Sequence, residues 1–227
     1  MPQHTDRTYE QELARLRASV LEMGGLVEEQ IAQAIRALVD RDETLARATI
    51  ARDHTVNRLD VEIDDLCLKL LALHQPAARD LRLITTALKI TTDLERIGDM
   101  AAHVAERALE LAVELPIKPY IDIPRMADLA RDMLHRSLDA FVREDAELAL
   151  HVCESDDTID KLHEQLFREL LSFMAEDPKT VSRAMRLLFV SKCLERVGDH
   201  ATNIAEMVIF MVKGRSIRHL DQIPRDL

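Results

Sequence analysis

Apolar residues recur along most of the chain at intervals of three and four positions, the spacing that places them on one face of an α-helix. The first such row runs from Tyr9 to Leu38. Two later rows run from Ala87 to Leu111 and from Leu187 to Met211, and the second repeats the first one hundred positions further on. The pattern therefore predicts long amphipathic helices.

Prolines separate the predicted helices. Pro116, Pro119 and Pro124 crowd into the segment "PIKPYIDIP", which interrupts any helix and marks a domain boundary. Pro76 and Pro178 each follow a polar residue, as is typical of the first turn of a helix. These signals predict six helices, at 8–40, 43–74, 76–114, 125–143, 145–175 and 178–213.

The two halves of the chain are copies of one another. Upstream of the apolar rows the match continues at an offset of 103, as in "ALVDRDETLA" at 37–46 and "AFVREDAELA" at 140–149. The predicted fold is all-α, with two tandem three-helix bundles related by a pseudo-twofold repeat. The predicted segments are a first bundle at 1–115, a Pro-rich linker at 116–124, a second bundle at 125–214 and a C-terminal tail at 215–227.

Composition and charge narrow the class of protein. The 227 residues are 47% hydrophobic but only 3% aromatic, which indicates an aliphatic core of packed helices. The net charge of −11 repels nucleic acid and anionic membranes, and no run approaches 18 uninterrupted apolar residues, so we expect no nucleic-acid partner and no direct membrane insertion. The three cysteines, Cys67, Cys153 and Cys193, show no C-x-x-C spacing, and we interpret them as small buried side chains. We expect a cytoplasmic protein.

A short acidic motif occurs once in each half. It reads "LERIGD" at 94–99 and "LERVGD" at 194–199. Glu95 and Asp99, and likewise Glu195 and Asp199, stand one helical turn apart and repel each other, so something must compensate their charge. The glycine inside each motif costs about 1 kcal/mol relative to alanine in a helix, which indicates close approach of another backbone or a ligand.

Helix geometry places further polar groups at the level of each motif. With a rise of about 1.5 Å per residue, the antiparallel neighbour reaches Glu95 near residue 56 and Glu195 near residue 160. The polar residues at those levels are Asp53, Asn57 and Asp60 in the first half, and Asp156, Asp157, Asp160 and His163 in the second. Such oxygen-rich groups suit Mg²⁺, Ca²⁺, Mn²⁺ or iron, so we predict a metal site in each bundle. His103, His163 and His200 are possible extra ligands.

Three other interpretations stay open. Arg96 with Asp99 and Arg196 with Asp199 are spaced as exposed salt bridges, the commonest fate of such residues. A carboxylate-bridged metalloenzyme or a metal-storage bundle would also be helical and acidic, but it requires Glu-x-x-His pairs that the repeated motifs lack. A purely structural scaffold would need neither the glycines nor the outward-facing acids. Because no nucleophile stands beside a base in the sequence pattern, we expect a non-enzyme.

The sequence resembles the PhoU family over essentially its whole length. The resemblance is carried by "MGGLVEEQ", "QPAARDLR", both "LER(I/V)GD" motifs, "ATNIAE" and "VKGRSIRH". It implies two three-helix bundles, with the repeated E(D)xxxD motif as the ligand set of multinuclear metal clusters. It also implies an adaptor that represses the phosphate-starvation response when phosphate is plentiful and modulates the phosphate ABC transporter. The implied partners are the ATPase subunit of that transporter and the phosphate-sensing sensor histidine kinase, which would hold the protein at the inner face of the membrane.

The resemblance and the helix geometry together define the predicted sites. By position in the family motif the ligands are Glu95, Asp99, Glu195 and Asp199, and geometry adds Asp53, Asn57, Asp156 and Asp160. The implied cofactors are divalent or trivalent metal ions, namely iron, manganese, zinc or magnesium. We also predict a homodimer, because the apolar segment "MVIFMV" at 207–212 would offer a self-complementary surface.

Overall fold

The computed structural model describes residues 3–215 and 217, with side chains from residue 7 onward, and these residues form helices and connecting turns without any strand. The elements are α1 (Gln3–Asp40), α2 (Glu43–His74), α3 (Ala78–Ala112), α4 (Asp122–Arg143), α5 (Ala146–Cys153), α6 (Asp156–Glu176), the 3-10 turn Pro178–Thr180 and α7 (Val181–Lys213). The all-α prediction is confirmed. The predicted tail at 215–227 lies outside the described residues, apart from Arg215 and Ile217.

The helices form two bundles that share a long seam. In the first bundle α1, α2 and α3 pack against one another, and in the second α7 packs against α4, α5 and α6. The bundles meet where α3 lies against α7 and α1 against α4. Aliphatic side chains fill the interior, in agreement with the low aromatic content.

The prediction of one continuous helix at 145–175 is wrong, because the structure breaks it between α5 and α6. At the break the backbone N–H of Ser155 donates to the carbonyl of Val152 at 3.0 Å, and Thr158 donates to Ser155 at 3.2 Å. These shorter-range hydrogen bonds tighten the chain into a turn. The Ser155 hydroxyl stabilises it by donating to the carbonyl of His151 at 2.7 Å. α6 consequently starts at Asp156, one of the predicted site residues.

The predicted linker at 116–124 is too long at its C-terminal end. α4 already begins at Asp122, and Pro124 lies in its first turn. Proline is tolerated there because the first backbone N–H groups of a helix have no intrahelical acceptor. The Lys118 ammonium contacts the Asp122 carboxylate at 2.9 Å and also pairs with Glu169, so the linker is held against the second bundle.

Equivalent aspartates precede α2 in the first bundle and α5 in the second. Asp42 Oδ1 accepts a hydrogen bond from the backbone N–H of Leu45 at 2.9 Å. Asp145 Oδ1 accepts the same bond from Leu148 at 3.0 Å. Both are N-caps, which satisfy backbone donors that the helix leaves free. The offset of 103 read from the sequence is thus retained in the local structure.

The segment 207–212 does not form the exposed apolar surface on which the dimer prediction was based. Met207, Val208, Ile209 and Met211 are all at most 4% exposed inside the second bundle. Arg82 of α3 donates to the carbonyl of Met211 at 3.0 Å, which ties this end of α7 to the first bundle. The homodimer stays a prediction, now without that support. No helix in the described part of the chain is long and apolar enough to cross a membrane.

The paired glycines of α1 offer a test of the seam. A Cβ added at Gly24 would overlap Cδ1 of Leu138, which is 3% exposed in α4, whereas a Cβ at Gly25 would meet nothing within 4 Å. We expect Gly24→Ala to destabilise the protein by about 1–3 kcal/mol through overpacking. Gly25→Ala should stabilise it by up to about 1 kcal/mol through helix propensity. Urea unfolding of both variants checks this, and equal effects would contradict the packing described for Gly24.

Candidate metal centres

The first repeated glycine, Gly98, lies where α3 packs against α2. A Cβ added at Gly98 would stand 3.2 Å from Cγ1 of Val56 and 3.6 Å from Oδ1 of Asp53. The missing side chain therefore lets α2 approach and brings the Asp53 carboxylate over the face of α3. Asp53 therefore lies at the predicted height along α2. Its side chain also points toward the motif, which the height alone did not determine.

The second glycine has the same surroundings. A Cβ at Gly198 would stand 3.1 Å from Cγ2 of Ile159 and 3.4 Å from Oδ1 of Asp156 on α6. Asp156 corresponds to Asp53, and Ile159 to Val56, at the offset of 103. An aspartate of α2 thus lies directly beside the acidic motif of α3, and an aspartate of α6 beside that of α7.

Burial and then mutual repulsion raise the pKa values of these carboxylates. Burial, followed by the charges of Asp160 and Asp199, raises the pKa of Asp156 to about 6. The pKa of Glu95 is raised by burial and then by Asp99, and Asp60 and Asp53 add smaller contributions. A group of negative charges that raises its own pKa values is one that a cation would stabilise.

The pKa values of Asp160 and Asp199 are raised in the same way. For both, partial loss of hydration is the largest cause, and the charge of Glu195 is the next. The four predicted residues of the second cluster, Glu195, Asp199, Asp156 and Asp160, therefore lie close enough to act on one another.

Exposed salt bridges account for only part of the arrangement. Arg96 lies 3.4 Å from both Glu95 and Asp99, but it is 54% exposed, so water screens these contacts. In the described part of the chain Arg196 makes no ion pair with Asp199, and the Lys192 ammonium instead donates to Oε1 of Glu195 at 2.6 Å. The alternative of exposed salt bridges is thus met in the first motif, and its Arg196–Asp199 pair is not formed in the second.

Several buried oxygen atoms in these clusters lack hydrogen-bond partners. Asn57 donates through Nδ2 to Oδ2 of Asp53 at 2.9 Å, which leaves Oδ1 of both residues unpartnered. Oε1 of Gln30, a residue of α1, is also unpartnered in the first cluster. Carboxylate and amide oxygens without donors are the type of ligand that hard cations prefer, so the donor sets fit a metal.

The donors do not yet stand in a chelating arrangement. Among the described residues, no group of three or more His, Cys, Asp or Glu side chains is positioned to hold a metal ion as it stands. Glu95 is turned toward Arg96, and Glu195 toward Lys192. Binding a cation therefore requires these two glutamates to rotate toward the aspartates of the neighbouring helix.

The histidines considered as extra ligands have other partners. His103 lies edge-on to Phe189, with ring centroids 6.2 Å apart. His200 contacts the Asp93 carboxylate at 2.8 Å across the seam between the bundles. His163 hydrogen-bonds the Ser191 hydroxyl at 2.9 Å. The clusters are therefore built from oxygen donors.

Gln30 is a buried polar residue beside the first cluster that the sequence analysis did not single out. It is 0% exposed and lies three positions after Val27 and seven after Met23, on the apolar face of α1. A polar residue in that row was the available signal, because a buried amide needs hydrogen-bond partners.

Comparison with known proteins places the chain in a family. Residues 20–108 and 123–208 each match the family model described as PhoU domain. Two proteins named phosphate-specific transport system accessory protein PhoU homolog are similar to it. The one from Pseudomonas aeruginosa is 42% identical over 96% of this chain and 90% of its own, and the one from Aquifex aeolicus is 43% identical over 92% and 94%.

Two crystal structures share the fold. PhoU from Pseudomonas aeruginosa has a TM-score of 0.88 at 43% identity, and the match covers 91% of this chain and all of that one. The phosphate transport system regulatory protein PhoU from Streptococcus pneumoniae has a TM-score of 0.85 at 30% identity, covering 92% of this chain and 99% of that one. Because both halves match the family model and the relatives align over nearly their whole length, this chain belongs to the PhoU family.

Proposed function

We propose that this protein is an accessory regulator of a phosphate-specific transport system and represses the phosphate-starvation response when phosphate is plentiful. The observation that carries this proposal is the match of both repeats to the PhoU domain, together with relatives named as accessory proteins of that system. Accessory and regulatory names also support a role without catalysis.

The proposed partners are proteins. They are the ATPase subunit of the phosphate ABC transporter and the phosphate-sensing histidine kinase, which the protein would meet at the inner face of the membrane. The net charge of −11 supports attachment through proteins, because anionic lipid repels an acidic surface.

The proposed cofactors are metal ions, with iron, manganese, zinc and magnesium as candidates. The residues that would hold them are Glu95, Asp99, Asp53 and Asn57 in the first cluster, and Glu195, Asp199, Asp156 and Asp160 in the second. A bound cation would neutralise the clustered carboxylates. It would link α2 to α3 in the first bundle and α6 to α7 in the second.

Deletion of the gene in its own host tests the proposed function. We expect a reporter of the phosphate-starvation response to become active in phosphate-rich medium. Wild-type protein should restore repression, and so should Gly25→Ala, which changes a glycine whose Cβ position is open. A reporter that stays repressed after deletion would contradict the proposal.

A further inference from the structure

One buried amide of α1 points into the first acidic cluster. The Gln30 side chain is 0% exposed, and its Nε2 group lies 3.4 Å from the carbonyl of Thr49. That carbonyl can only accept a hydrogen bond, and this contact assigns the amide nitrogen to the side of Thr49 and the amide oxygen to the side of Gly98. Oε1 of Gln30 is left without a partner.

A second unpartnered oxygen faces the same place. Oε1 of Gln30 and Oδ1 of Asp53 both lie 3.6 Å from the position that a Cβ of Gly98 would take. Neither the amide oxygen nor a carboxylate oxygen can donate a hydrogen bond, so the two cannot satisfy each other. Two buried acceptors beside one point require a donor or a cation, because burying an acceptor without a partner costs free energy.

The second bundle lacks this amide. At the offset of 103, which aligns Met23 with Met126, the residue corresponding to Gln30 is Met133, and it is 3% exposed. A thioether is a soft ligand that does not suit hard cations. The two clusters therefore differ in their donors, although their glycines and motifs are the same.

We propose that Gln30 is a ligand of the cation in the first cluster and supplies a neutral oxygen from α1. This inference rests on the proposed metal binding. A metal there links all three helices of the first bundle, whereas the second cluster draws its ligands from α6 and α7. Because Asn57 stands where the second cluster has Asp160, and Gln30 adds no charge, the first cluster binds its cation with one negative charge fewer than the second.

The test measures Mn²⁺ binding to the full chain by isothermal titration calorimetry. Asp199→Asn serves as the background, because it disables the second cluster and isolates the first. We expect Gln30→Met, which installs the residue of the other repeat, to weaken Mn²⁺ binding by about tenfold or more. Gln30→Glu should tighten it, because it replaces a neutral oxygen with a charged one. The matched control is Met133→Leu in an Asp99→Asn background, which should leave binding to the second cluster unchanged.

The outcomes distinguish the role of Gln30 from the proposed metal binding on which it rests. If the Asp199→Asn protein binds no Mn²⁺ at all, both the proposed metal site and the role of Gln30 are overturned. If it binds with an affinity that Gln30→Met and Gln30→Glu leave unchanged, only the role of Gln30 is overturned. A buried water in place of the cation predicts a lower melting temperature for metal-free Gln30→Met and the same Mn²⁺ affinity. If Gln30→Met does not fold, tighter binding by Gln30→Glu supports the proposal and unchanged or weaker binding refutes it.

Discussion

Each metal site is expected to stabilise the wild-type protein by about 2.7 kcal/mol when the metal is present at a hundred times its dissociation constant. For a chain of this length the gain corresponds to a rise of roughly 5–11 °C in melting temperature. Asp199→Asn should lose most of the increment from the second cluster, and Asp99→Asn most of that from the first. Thermal melts with chelator and with added Mn²⁺ or Fe²⁺ measure both.

The metal-free melts distinguish a ligand from a structural residue. Without metal, we expect both variants to be as stable as the wild type or slightly more stable, because a repulsion of a few tenths of a kcal/mol is relieved. If the acids only formed exposed ion pairs, each substitution would shift stability by at most about 0.5 kcal/mol with or without metal. Equal shifts on metal addition in all three proteins would exclude these aspartates as ligands.

Asp156→Asn is expected to stabilise the metal-free protein at neutral pH by about 1–2 kcal/mol. The folded state raises the pKa of Asp156 to about 6, mainly through burial and then through Asp160 and Asp199. Folding therefore favours the protonated carboxyl, and the wild type loses stability as pH rises from about 4, the unfolded pKa, to about 6. Asparagine keeps the shape of the side chain without the charge.

Urea unfolding without metal checks this prediction. The advantage of Asp156→Asn should be full near pH 7 and shrink as the pH is lowered toward 5. Asp157→Asn is the matched control, because it removes the same charge from the exposed neighbouring position and should change stability by less than about 0.5 kcal/mol. A metal-free Asp156→Asn protein no more stable than the wild type at pH 7 would contradict the repulsion in the second cluster.

Apolar periodicity predicted the helices well and missed the break between α5 and α6. The buried row continues across it, from Ala149 and Val152 to Ile159 and Leu162, so periodicity gives no sign of an interruption. The turn lacks proline and glycine and is held by the Ser155 hydroxyl. Serine is common enough in helices that its presence alone predicts no break.

The position of the candidate sites followed from simple geometry. Helix rise is constant and each hairpin turn is short, so the level of Asp53 and Asp156 could be predicted from residue numbers alone. The directions of Glu95 and Glu195 could not, because long side chains choose among rotamers according to nearby cations, here Arg96 and Lys192. Gln30 was missed because the geometric argument compared heights along α2 and α3 only, and Gln30 lies on α1.

Metal content is the most direct test of the two acidic clusters as metal sites. Element analysis by mass spectrometry should be made on protein purified without chelator, for the wild type and for the double variant Asp99→Asn/Asp199→Asn. We expect bound metal in the wild type and its loss in the double variant, with circular dichroism showing that both are folded. Wild-type protein without metal after incubation with iron and manganese, or equal metal in both proteins, would contradict it.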